Sequence, residues 1–476
     1  DAGSPLTACG DDGEVLVSYN SIVMSVKFQA VRGTHDLLPD QTAHFQQLEA
    51  RARALFGQFG FHEIRTPTFE ALELFHRSLG ETTDIVEKEM YVFEDRGGRK
   101  LALRPEGTAG VVRAFIEHHL AQTNPVCKLF YIGPMFRAER PQAGRYREFW
   151  QIGAEYFGNP YPEADAELLL MVQTLYRALG LTDVQFKLNS LGDATCRPVY
   201  RRALTDYLEA EKPGLCEDCV RRMAKNPFRI LDCKIDGPRL KNLPTIDSFW
   251  CGDCRIHFKA VTSLLEKAGG QYVFTPRLVR GLDYYTRTVF EVSTSSLGAQ
   301  DPPSSASKEE GLASKQERSQ GALAAGGRYD TLVKQIGGPD VPALGFALGS
   351  ERTLDALKAA KTQPAASRGV LVFVAAQGEE TVPAAFQLLQ ELRSNPQLGE
   401  RHISVEGGFF QKKLGAQLTL ADRLDARYCV IMGQDELEKG EITFRSLKES
   451  TQTRIPRQKL ISHLLDVIPA EAGIQP

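Results

Sequence analysis

Two stretches constrain this chain more than any others: KLFYIGPMFR (128–137) and EFWQIGAEYF (148–157), separated by AERPQAGRYR (138–147). Each alternates with a period of two, which predicts a pair of strands joined by an extended loop. In the second strand Trp150, Ile152, Ala154 and Tyr156 share one face, fit for helices to pack on. Phe149, Gln151, Gly153, Glu155 and Phe157 share the other. In the first, Phe130, Ile132, Pro134 and Phe136 form an apolar face, and Tyr131, Gly133, Met135 and Arg137 the opposite one. Ordinary pairing then puts Arg137 with Gln151 and Glu155 on a floor that is polar where a core would be apolar. A solvated sheet face is the plain alternative. Glycine at both 133 and 153 favours a ligand lying on the sheet.

The bulk numbers set the frame. At 476 residues the chain exceeds what one core fills, so more than one domain is expected. A net charge of −3 gives no general affinity for nucleic acid, and any RNA contact must come from local patches. No apolar run approaches the ~18 residues of a membrane span, so no membrane partner is expected. Nine scattered cysteines suit a reducing, cytoplasmic setting better than a disulfide framework.

Along the chain, residues 1–24 are expected to be a disordered N-terminal extension, acidic and without a signal-peptide pattern. Residues 40–60 predict an amphipathic helix through Phe45, Leu48, Ala52, Leu55, Phe56 and Phe59, followed by a strand in FHEIRTPTFE. Residues 25–194 and 273–360 are expected to form one domain in two parts. Segment 195–272 interrupts it as a helical, cysteine-bearing insertion. A Ser/Gly/charge-rich stretch at about 297–321 reads as a flexible loop. Beyond the linker KTQPAASRG, residues 367–465 alternate strands and helices as a separate small α/β domain, with 466–476 a tail.

Three further stretches match the chemistry of the strand floor. LALRPEGT carries Glu106, Gly107 and Thr108, a carboxylate and a hydroxyl able to hold an ammonium. LVRGLDYYTRTVFE carries Arg280, Tyr284 and Tyr285, while AAGGRYD and GFALGSERT carry Tyr329 and Arg352 beside glycines. Each alone is readable as a capped turn, a strand with a surface arginine, or a tight turn before a helix. Within the insertion, Cys216, Cys219, Cys251 and Cys254 form two CxxC pairs with Cys233 between them. Four such thiolates would make one tetrahedral structural Zn²⁺ site; the alternative is reduced, half-buried thiols. No base adjoins any of these cysteines in sequence, so none is expected to be catalytic.

Taken together, these motifs resemble a class II aminoacyl-tRNA synthetase, specifically the histidyl-tRNA synthetase family. RGTHDLLPD, the helix–strand ending at Pro67 (motif 1), residues 129–157 (motif 2) and GFALGSER (motif 3) carry the class likeness. LVRGLDYY and AGGRYD resemble the two histidine-specific motifs. The resemblance covers roughly residues 30–465. It implies an α+β catalytic domain on a mostly antiparallel sheet flanked by helices, with a C-terminal α/β anticodon-binding domain and a homodimer formed through motif 1. It implies activation of L-histidine by ATP with Mg²⁺, then transfer to the 3′ end of the histidine tRNA. By resemblance, Arg137 and Arg280 bind the α-phosphate from opposite sides, Arg352 the γ-phosphate, and Phe149 stacks on adenine. Glu155, Tyr284 and Tyr329 are assigned to the imidazole, with Tyr285 beside them in the histidine site. Glu106, Gly107, Thr108 and Gln151 are assigned to the amino and carboxylate end. Arg140, Gln142, Arg145 and Arg147 are expected at the tRNA acceptor end, and GGFFQKKLG is a candidate RNA patch whose plain alternative is a helix start with two solvated lysines. Two departures from the family pattern stand out: the insertion at 299–320 and Ser350 before Glu351 in motif 3. The rival reading is a synthetase-like regulatory subunit of histidine biosynthesis. The presence of Arg280 and a full C-terminal domain counts against it.

Overall fold

A computed structural model describes residues 28–80, 83–139, 146–295, 297, 322–362 and 370–468. The 1–24 extension, the 297–321 loop apart from Leu297, and Arg140, Gln142 and Arg145 lie outside the described residues.

The centre is an eight-stranded sheet in the order His62–Glu63, Cys127–Phe136, Glu148–Phe157, Ala343–Gly349, Ala324–Arg328, Thr286–Thr294, Val184–Ser190, Val273–Phe274. The six long strands pair antiparallel, and only the two-residue strands at the edges run parallel to their neighbours. The hairpin register sets Gly133 opposite Gln151 and Tyr131 opposite Gly153, with Ile132 opposite Ile152. The two faces therefore separate as the period-two pattern requires.

Helices Pro39–Gln58, Pro162–Ala178, Gly252–Lys267 and Ser350–Ala359 cover one face. Both of the first two begin with proline, whose missing N–H costs nothing in a first turn. Phe56 is fully buried there, edge-on to Phe130 and Phe346 at centroid separations of 5.5 and 5.9 Å. A phenylalanine so placed contributes about 1.5–3 kcal/mol of burial. Helices Leu72–Leu79 and Thr108–Glu117 cover part of the other face, with Phe75, Val111 and Phe115 in its core.

The strand expected in FHEIRTPTFE is broken. His62–Glu63 joins the large sheet, and Phe69–Ala71 joins a separate three-stranded sheet. Pro67 removes a ladder donor between them. Arg104 holds the crossing, donating to the carbonyl oxygens of Thr66 (3.0 Å), Pro67 (3.4 Å) and Pro134 (2.9 Å).

The four-thiolate grouping expected from sequence does not form. Cys216 and Cys219 stand with Cys233 and Asp236, whereas Cys251 and Cys254 stand with Asp193 and Cys196. Each CxxC opens its own helix, Glu217–Lys225 or Gly252–Lys267, and is met by a different turn.

The C-terminal unit has a five-stranded sheet, ordered Ile403–Gly407, Val370–Ala376, Tyr428–Met432, Glu441–Ser446, Thr451–Pro456. Its first three strands are parallel and flanked by helices Val382–Arg393 and Leu414–Arg423. In GGFFQKKLG, Phe410 is buried and Phe409 exposed, with the Lys412 ammonium 6.0 Å from the Phe409 ring. The lysines do precede a helix start, and an exposed aromatic stands beside them.

Arg328 is fully buried and explains the arginine of AAGGRYD. It donates to Asp165 through Nε and Nη2, to the carbonyls of Asn159 and Tyr161, and to Asp330. Burial alone would push the Asp165 carboxyl up, but Arg328 and His257 hold it down to about 2. Arg328→Ala should cost about 3–5 kcal/mol by stranding that carboxylate, read as a drop in the urea midpoint of unfolding.

Candidate active site

One cavity opens on the polar side of the large sheet. Glu106, Thr108, Arg137, Phe149, Gln151, Arg280, Tyr284, Tyr285, Tyr329 and Arg352 all line it. Chain segments more than 240 residues apart thus converge at one place.

Beneath its inner end, and not itself among the lining residues, sits Glu155, fully buried on the Glu148–Phe157 strand. Thr108 Oγ1 donates to its Oε1 at 2.7 Å, and the Tyr329 hydroxyl donates to its Oε2. Burial lifts the Glu155 pKa to about 8, and the negative charge of Glu106 adds to that rise, while the Tyr329 and Thr108 hydrogen bonds oppose it. Tyr284 packs against Tyr285 and Tyr329 at centroid separations of 4.6 and 5.4 Å, giving an aromatic wall.

Glu106 precedes the helix Thr108–Glu117, and its carboxylate accepts from the backbone N–H groups of Thr108 (2.7 Å) and Ala109 (2.8 Å). It is a side-chain cap as well as a cavity group. Gln151 Oε1 is buried with no hydrogen-bond partner among the described residues. A buried acceptor left free at a cavity wall is suited to a ligand N–H.

At the other end stand three guanidinium groups. Arg137 donates to Pro105 O at 2.9 Å and lies 5.2 Å from the Phe149 ring centroid. Arg280 Nη1 donates to Glu291 Oε2 at 2.6 Å, and Arg352 Nη1 to Ala322 O at 3.0 Å. Glu139 and Glu351 supply carboxylates to the same cavity. Glu351 is lifted to about 7 by burial, against the Trp150 N–H that it accepts at 2.8 Å.

The two floor glycines do not leave room for a ligand, contrary to the expectation from sequence. A Cβ on Gly153 would lie 2.3 Å from the Tyr131 ring, and one on Gly133 would lie 2.4 Å from Arg104 Nη2. Gly107 serves the same ring, with a Cβ there 2.2 Å away. These glycines admit protein side chains under the cavity, and Gly107 itself does not line it. Arg147 donates to the carbonyl oxygens of Arg32 (3.1 Å) and Glu139 (3.5 Å).

Glu291, Glu351 and Tyr131 were missed in the sequence. Glu291 left one signal, a lone charge inside the apolar run VFEV. Tyr131 left only its place on the polar face of its strand, because its contact with Gly107 and Gly153 needs the three-dimensional fold.

An antiparallel sheet flanked by helices, with arginines at one end of its cavity and a buried polar network at the other, defines a class II aminoacyl-tRNA synthetase core. A family model described as "Histidyl-tRNA synthetase" matches residues 33–202, and one described as "Anticodon binding domain" matches 370–466. The chain is 45% identical to the "Histidine--tRNA ligase" of Endomicrobium trichonymphae over 90% of its own length and 98% of the relative's. It is 46% identical to that of Desulfosudis oleivorans over 90% and 95% respectively. The solved apo histidyl-tRNA synthetase of S. aureus superposes with a TM-score of 0.73 at 32% identity, covering 92% of this chain and 99% of that one. The chain belongs to the histidyl-tRNA synthetase family. A Bacillus halodurans structure titled as an ATP phosphoribosyltransferase regulatory subunit/histidyl-tRNA synthetase shares the fold at 18% identity and a TM-score of 0.57.

The raised Glu155 pKa sets a pH dependence. The folded chain keeps a proton there that the unfolded chain releases near the ordinary value of 4.5, so its stabilising effect is full below that pH. It is lost as pH rises through about 8. Thermal unfolding followed from pH 5 to 9 should show this decline, and Glu155→Gln, which cannot ionise, should flatten it.

Proposed function

We propose that this chain is a histidine–tRNA ligase, using ATP to activate L-histidine and then charging its tRNA. The observation that carries the reading is one cavity that three arginines share with Thr108 and Tyr329, the two hydroxyls that donate to the buried Glu155 beneath it. In the first step a histidine carboxylate oxygen attacks the α-phosphorus of ATP, the bond to the β-phosphate bridging oxygen breaks, and pyrophosphate leaves. In the second, a hydroxyl of the terminal ribose attacks the histidyl carbonyl, and AMP leaves.

Neither step needs a protein nucleophile, so positioning and charge supply the acceleration. Arg137 and Arg280 would bracket the α-phosphate and Arg352 the γ-phosphate, because a guanidinium binds oxyanions bidentately and keeps its charge. Glu291 orients Arg280 for that post through their 2.6 Å contact. Phe149, already under the Arg137 guanidinium, would take the adenine. Mg²⁺ fits the hard carboxylate oxygens of Glu139 and Glu351, and would neutralise phosphate charge.

Imidazole carries two ring nitrogens, each needing a partner once buried. Glu155 and the Tyr284–Tyr329 hydroxyls supply acceptor and donor, and Gln151 Oε1 and Glu106 suit the ammonium. A pocket of hydrogen-bonding groups rejects isosteres lacking them by about 10⁴–10⁵, so no editing site is required. The tRNA would lie along the 138–147 loop with its anticodon on the C-terminal unit, where Phe409 and Lys412 offer a stacking ring and a cation. A cytoplasmic setting follows from this role in translation.

The family resemblance implies a homodimer through motif 1, and the small sheet that follows motif 1 in the chain leaves Phe69, Val92 and Phe93 50%, 50% and 41% exposed. Light scattering should give twice the chain mass, and a monomer would refute it.

ATP–pyrophosphate exchange tested with each amino acid should proceed with histidine alone, and no exchange with histidine would overturn the assignment. Arg280→Ala should lower the exchange kcat by about 10²–10³ with little change in histidine KM. A regulatory subunit would show no exchange in either form.

A further inference from the structure

The two cysteine groups share one pattern. In each, a CxxC at a helix start faces a second turn of the same span: Cys216-x-x-Cys219 faces Cys233-x-x-Asp236, and Cys251-x-x-Cys254 faces Asp193-x-x-Cys196. Each group brings three sulfurs and one carboxylate oxygen within 4.8 Å of one another. We propose that the chain holds two structural zinc ions, one in each Cys₃Asp group.

The geometry points away from disulfides. Cys216 Sγ and Cys233 Sγ are 3.9 Å apart, well beyond a covalent bond of about 2.05 Å. It is close to the edge of about 3.8 Å of a tetrahedron with Zn–S bonds of about 2.3 Å. All six cysteines are free thiols.

Sulfur also accepts backbone hydrogen bonds in each group. Asp236 N donates to Cys233 Sγ at 3.4 Å, Cys251 N to Cys196 Sγ at 3.0 Å, and Cys254 N to Cys251 Sγ at 3.5 Å. N–H donors aimed at sulfur stabilise thiolates and fix ligand orientation, as supporting groups around a metal do. Cys216 N donates to Asp236 Oδ2 at 2.9 Å, and Asp193 Oδ1 accepts from Thr195 and Cys196 at 2.9 and 3.2 Å. Each carboxylate is thus held by one oxygen, while the other faces the sulfurs with an arginine at long range, Arg239 3.7 Å from Asp236 Oδ1 and Arg287 3.8 Å from Asp193 Oδ2. Three thiolates with one carboxylate and no open position suit tetrahedral Zn²⁺ in a structural role.

Placement gives the ions separate tasks. The first group lies within a small core of ten buried residues around Tyr200, Leu204 and Ile230, too few to be stable unaided. The second joins 193–196, where the segment leaves the large sheet, to 251–254, at the start of the helix Gly252–Lys267 that packs back on that sheet through Val261 and Leu265. That junction abuts the end of LVRGLDYY and the strand Thr286–Thr294 that follows it: Arg197 donates to Tyr285 O at 2.8 Å, and Arg287 N to Gly192 O at 2.8 Å.

The full chain, reconstituted with zinc sulfate and freed of loose metal by gel filtration, should carry two zinc per chain by mass spectrometry. Cys219→Ser and Cys254→Ser should each retain one, and the double variant none. A shared four-thiolate site would give one zinc in the parent and none in either single variant, which overturns the proposal. To cover misfolding variants, the parent chain is also titrated with a mercurial while released zinc is read with a chromophoric chelator. Two equivalents, with X-ray absorption showing about three sulfurs and one oxygen per zinc, support the assignment. One or none, iron in place of zinc, or disulfides within the CxxC pairs refute it.

Discussion

A carboxyl group kept from water organises this molecule. Glu155 stands on a strand of the large sheet with both oxygens met by hydroxyl donors from distant segments of the chain, Thr108 and Tyr329. A buried carboxyl without such partners would be costly, so the loop before the Thr108 helix and the turn after Ala324–Arg328 must both come to it. Arg328 then ties that turn to Asp165 on a helix of the far face. One polar group thus fixes how the two layers meet, and the ligand cavity is what remains above it.

Much of this was readable from residue order. Strand parity at 127–157 separated the two faces correctly, because period two leaves no freedom once a hairpin is paired. The convergence of Glu106, Arg280, Tyr329 and Arg352 was legible only through the motif likeness, since no local rule links residues so far apart. What failed did so where side chains meet across strands. The glycines at 133 and 153 looked like space for substrate, yet Arg104 and Tyr131 fill it. The two CxxC pairs looked like one site because sequence shows spacing but not which turns face each other. Asp193 and Asp236 were invisible as ligands, being common residues with no signature of their own.

The cysteine-bearing segment around Glu217–Lys225 is anchored to the rest of the structure by polar contacts on top of packing. Asp84 receives Arg222 and Arg229 at 3.2 and 2.6 Å, and Asn226 donates to Asp283 at 2.7 Å, three residues past Arg280. Burial opposes the Asp84 charge, but the two arginines keep its carboxyl below the ordinary range. A region with a small core of its own is thereby oriented against the segment that carries Arg280 into the cavity.

The glycines around Tyr131 have a consequence for evolution. Because Gly107 and Gly153 both clear space for one ring, neither can change by single substitution without colliding with it, and shrinking Tyr131 alone would open a void under the pocket. The three positions therefore form a mutual lock, in which every one-step path to a differently shaped floor passes through a damaged intermediate. The shape of such a pocket is guarded by more than the groups that line it. It is guarded also by the difficulty of remodelling what lies beneath them.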